Sequence, residues 1–112
     1  MTQTNKDDGW TRLKRDGKVA VVWSPGYGAG WYTWNTEYGE RFCLDSEIAQ
    51  AAIDGKKELA SEIAERIFPN CYTGGARDLR VDWVDEGALF RITEYGGSES
   101  VEVIGELEGF IA

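Results

Sequence analysis

The chain has 112 residues, a net charge of −8 and 42% hydrophobic residues, with five Trp, five Tyr and four Phe. This is one domain's worth of chain with enough apolar content for a core, which excludes a disordered polymer. The acidic balance argues against a binder of duplex nucleic acid, and no apolar run nears the ~18 residues of a membrane span.

In chain order, residues 1–9 read as a polar tail of a single domain over 1–112. Met1 to Asp8 holds no apolar stretch of the kind a secretory signal needs, so a cytoplasmic location is expected. Trp10 to Leu13 reads as a short strand, and Asp16-Gly17 as a turn. Lys18 to Trp23 is a β-branched run expected to form a central, buried strand. Asp45 or Ser46 is a good N-cap for a helix through Ile53, which Asp54-Gly55 ends. A second helix is expected from Lys56 to Phe68. Leu59, Ile63 and Ile67 fall on one stripe, and Pro69 stops the helix. Leu79 to Val84, Ala88 to Tyr95 and Val101 to Ile104 alternate as strands of a meander, with Gly96-Gly97 as a hairpin turn. The helical stripe is expected to pack on Val81, Trp83, Phe90 and Ile92. Phe110-Ile111 should dock on the core or on a second copy in a homodimer. Helices segregated from strands in this order predict an α+β fold: one small antiparallel or mixed sheet against two helices.

Two stretches lack charge and could carry a site. Residues 24–36 hold three Gly and four aromatics. Gly28, Ala29 and Gly30 could offer backbone N–H groups to an anion, while Tyr27, Trp31 and Trp34 offer faces for base stacking and Asn35 a polar edge. The competing reading makes Trp31 and Trp34 core anchors. The Gly26, Gly28, Gly30 spacing is not a dinucleotide fingerprint, because Trp31 stands where the third glycine belongs. In the second stretch, residues 70–76, Thr73, Gly74 and Gly75 offer backbone donors, and Arg77 directly after it adds a forked cation, a set suited to phosphate; the alternative is a plain connecting loop. If the two stretches met at one end of the sheet, they would form one pocket.

The chain has no histidine, which removes His-dependent nucleophilic and zinc sites, and no P-loop sequence. Glu37 and Glu40 are the nearest carboxylate pair, and solvated surface acids are the simpler reading. No catalytic residue, metal ligand or cofactor is assigned, and Cys43 and Cys71 are expected as free thiols. Charge is uneven: residues 85–112 carry seven acids and Arg91 as their one base, a face that could meet a basic protein.

The run Ser24 to Asn35, followed by Tyr72 to Leu79, resembles a group of small bacteriophage and prophage proteins that carry a similar S-P-G-x-G-A-G-W-x-T-W-N stretch. The resemblance implies a phage origin and a place in the host bacterial cytoplasm. By analogy of size, origin and pocket chemistry, the expected role is an anti-defence sponge. It would sequester a nucleotide or cyclic oligonucleotide immune signal without turnover. The rival expectation is an acidic inhibitor of a host defence protein.

Overall fold

The computed structural model describes residues 10–26, 31–36, 39–71, 73–95, 98–104 and 109–112. The tail over 1–9 and the hairpin glycines at 96–97 lie outside them. The fold is α+β, and its strands form two antiparallel three-stranded sheets rather than the single sheet expected.

The first sheet has the order β1 (Lys14–Arg15), β2 (Lys18–Trp23), β3 (Arg80–Asp85). Asp16 and Gly17 both take positive φ, 53° and 77°, which is the two-residue hairpin geometry that suits strand twist. The expected strand over 10–13 reduces to one bridge between Arg12 and Asp45. The second sheet has the order β5 (Ser98–Ile104), β4 (Leu89–Tyr95), β6 (Phe110–Ile111). β3 and β4 are not paired, so the meander is a misreading.

The reason lies in β2. Val19 to Val22 are fully buried, two on each face. Ala20 and Val22 face the helices, whereas Val19 and Val21 face Val84, Phe90, Ile92 and Val101. A strand apolar on both faces needs cover on both. The helices cover one face and the second sheet the other. Between Asp85 and Ala88 the chain crosses from one sheet to the other, with the Glu86 N–H donating to Gly17 O and the Gly87 N–H to Ala112 O.

Two of the helices follow the sequence closely, and a third, short one precedes them that the sequence reading did not include. α1 (Arg41–Leu44) sits at the seam, sending Phe42 into the helix-side core and Cys43 and Leu44 into the sheet-side core. α2 (Ser46–Ile53) is capped by Asp45, whose carboxylate accepts from the Glu47 and Ile48 N–H groups and from Arg41 Nε. It ends in a glycine cap: Gly55 has φ 70°, and the Gly55 and Lys56 N–H groups donate to Ala52 O and Ala51 O. α3 (Lys57–Ile67) buries Ala60, Ile63 and Ala64. Ile63 is 8% exposed and Leu59 42%, so the stripe is centred on Ile63 and leaves Leu59 at the rim. It packs toward Ala20, Val22 and Val81; Phe90 and Ile92 belong to the other core, and Trp83 is exposed.

Candidate functional site

Trp31 is the first of the expected binding residues to be relocated. It is 0% exposed, its ring lies 4.7 Å from that of Phe42 and 6.5 Å from that of Phe68, and its indole N–H donates to Phe42 O. Phe42 and Phe68 stack at 4.0 Å. A ring enclosed in this way has no face for a base, so Trp31 is a core anchor. Tyr27, Gly28, Ala29 and Gly30 lie outside the described residues. Trp34 closes a 3-10 turn over Tyr32–Trp34. Asn35, also buried, turns inward: its amide Nδ2 donates to Trp31 O.

What organises this stretch is Glu99, which sequence reasoning missed. Glu99 is 1% exposed and sits on β5, on the face shared with Val101 and Val103. Its Oε2 accepts from Trp31 N–H (2.8 Å), Thr33 N–H (2.8 Å) and Thr33 Oγ1 (2.7 Å), and its Oε1 from Ser24 N–H (3.0 Å). The Glu99 N–H in turn donates to Ser24 O at 2.7 Å. The uncharged stretch therefore does meet an anion, and the anion is the protein's own. Burial pushes the Tyr32 phenol above its ordinary pKa, with Cys43 and Glu99 adding to the effect. The signal available in the sequence was a carboxylate in register with two apolar residues of an alternating strand.

The second stretch is better placed for a ligand. Gly74–Asp78 forms a 3-10 segment with Thr73 at its head, and Gly75 and Ala76 are buried against α3. Arg77 projects beside the start of α3, 3.6 Å from Glu58, with both side chains exposed. A cleft of about 130 Å³ opens here between the turn at Gly55, the head of α3 and Ala76 to Arg80. It adjoins a shallower basin of about 470 Å³ that shares Lys56, Lys57 and Arg77. No residue of the 24–36 stretch lines either hollow, so the single pocket expected from the two stretches is not formed among the described residues. The two leave the same end of the first sheet, where Trp23 pairs with Arg80, but Glu99 ties the first to the second sheet while the second leans on α3.

Lys56, Lys57, Arg77 and Arg80 line this cleft and basin together with the acids Glu58 and Asp78. Seven of the described cations (Arg12, Lys14, Lys18, Arg41, Arg66, Arg77 and Arg91) are in ion pairs. Lys56, Lys57 and Arg80 are in none among the described residues. α3 also lacks a side-chain cap, leaving its first-turn N–H groups open beside these cations. Lysines at the positive end of a helix oppose its dipole, so Lys56-Lys57 was the local rule-break that the sequence offered as a signal.

The acidic half is partly answered from within: Lys14 pairs with Glu86, Lys18 with Asp85 and Arg91 with Glu102. Glu40 pairs with Arg12 at 3.0 Å, and Glu37 lies outside the described residues. Among the described residues no group of three or more His, Cys, Asp or Glu is placed to hold a metal ion, and no helix is long and apolar enough to cross a membrane. No family model, curated protein or solved structure matches the chain.

Proposed function

We propose that this protein binds a small phosphorylated ligand, of the nucleotide or cyclic oligonucleotide class, in the basic cleft at the head of α3 and holds it without turnover. The observation that carries the reading is the set of three cations, Lys56, Lys57 and Arg80, that form no ion pair among the described residues and gather with Arg77 around an uncapped helix start. In a chain of net charge −8 such a grouping is costly unless an anion offsets it. Long-range repulsion by the remaining acids is screened over ~8–10 Å in physiological salt, so the local cations and N–H groups decide. Arg77 and the lysines take the phosphate, and the open basin leaves room for the rest of the ligand. Trp31 contributes nothing to contact, which removes stacking on that ring from the expected affinity. The phage resemblance is what suggests an immune signal as the ligand.

Calorimetry against inorganic phosphate and a panel of mono-, di- and cyclic nucleotides tests the reading. Arg77→Ala should weaken binding by ~1.5–3 kcal/mol, the size of a hydrogen bond to a charged group. Trp31→Phe should leave the affinity unchanged in the folded protein, and the ligand should be recovered intact after denaturation. A panel without a single binder would discard the cleft as a ligand site and promote an acidic inhibitor of a host protein.

A further inference from the structure

The carboxylate of Glu99 is held as a ligand is held. Four donors converge on it, three of them backbone N–H groups from two separate points of the chain, Ser24 on one side and Trp31 and Thr33 on the other. Oε2 receives three of the four, all at 2.7–2.8 Å, the short distances of charge-assisted hydrogen bonds. Among the described residues no ion pair includes Glu99, and its two oxygens are answered by peptide dipoles and one hydroxyl. Backbone donors arranged around a concavity in this way form an anion site in their own right. The Asp45 carboxylate differs: it serves one helix start and takes Arg41 as a counter-ion.

We propose that Ser24, Trp31 and Thr33 form an oxyanion receptor specific for carboxylate, that Glu99 is its built-in occupant, and that this occupancy latches the segment after β2 onto the second sheet. The donors belong to one part of the fold and the carboxylate to another. β5 brings the acid from residue 99, whereas the receptor is built from residues 24, 31 and 33. The Glu99 N–H to Ser24 O bond sets the strand beside the receptor, so the side chain enters it from an already fixed backbone. Because the receptor is separate from its occupant, a free carboxylate of the right size can replace the side chain once that is removed. Glu99→Ala deletes a CH2 and a carboxylate, which is the outline of acetate.

The test is chemical rescue of Glu99→Ala. Its thermal midpoint should lie well below wild type in sodium chloride and rise saturably with sodium acetate or formate at matched ionic strength. Propionate, too long for the space, and neutral acetamide should not reproduce the rise. Equal stabilisation by acetate and chloride, or by acetamide, would overturn the receptor. If the variant does not fold in either salt, Glu99→Gln decides by amide exchange in nuclear magnetic resonance. The glutamine keeps the shape but turns an NH2 group toward the donors. The Trp31 and Thr33 amides should then exchange roughly tenfold faster or more, with α2 amides unaltered. Exchange at the wild-type rate would overturn the proposal.

Discussion

Cys43 and Cys71 are chemically unlike. Cys43 is fully buried in the sheet-side core, and its thiol leans on Glu40 O at 3.4 Å. Burial raises its pKa far above the ordinary thiol range, and the nearby Glu40 and Glu99 charges push the same way. Cys71 is only half-buried. Because the thiolate is the reactive form, a thiol reagent at neutral pH should modify Cys71 alone in the native protein and both residues after denaturation. Ellman titration with and without guanidinium counts them. Two fast thiols in the native state would show that Cys43 is not enclosed as described. The pairing of Trp31 with Phe42 and Phe68 follows the same logic at this scale: an aromatic residue in an uncharged stretch is decided by its neighbours, and here those neighbours come from α1 and the end of α3.

α3 borders both a core and the cleft. Its inner side sets Ala60, Ile63 and Ala64 against β2, while its head exposes Lys56 and Lys57. Leu59 stands between the two and is 42% exposed, against 8% for Ile63. Ile63→Ala should cost ~2–5 kcal/mol in chemical denaturation, since it leaves a cavity under the helix. Leu59→Ala should stay within about 1 kcal/mol, nearer to the behaviour of a surface substitution. Equal losses at the two positions would mean that the helix is rotated about its axis from the orientation described. The same element shows why Lys56-Lys57 escapes a pattern based on apolar periodicity: the stripe is legible from spacing, whereas the meeting of these lysines with Arg77 and Arg80 depends on a 3-10 segment some twenty residues later.

At the scale of the molecule, β2 is the shared wall of two cores, so both the helices and the second sheet depend on it. The C-terminus closes the sheet-side core. Phe110 packs edge-on against Tyr32 at 5.4 Å and Phe90 at 5.9 Å, and Ala112 is buried with its N–H donating to Ala88 O. Phe110 and Ala112 thus dock on the core, while Ile111 between them stays 57% exposed. A chain shortened to end before Gly109 should lose about 2–4 kcal/mol of stability, from the apolar area that β6 buries. Its mass by light scattering should equal that of the full chain. Unaltered stability, or a halved mass on truncation, would count against β6 as an internal strand.

Composition and pattern alone determined the α+β class, the limits of α2 and α3 to within a residue, a cap at Asp45 or Ser46, the Asp16-Gly17 turn and the buried character of β2. These are local: each rests on neighbours within a turn or a strand, where periodicity and capping chemistry operate. The division into two sheets, the enclosure of Trp31, the carboxylate of Glu99 among the donors of Ser24, Trp31 and Thr33, and the cleft that joins α3 to Arg77 were decided by tertiary structure. Each joins residues far apart in the chain. A strand apolar on both faces announces that it needs two covers, but which elements supply them is settled only when the whole chain packs.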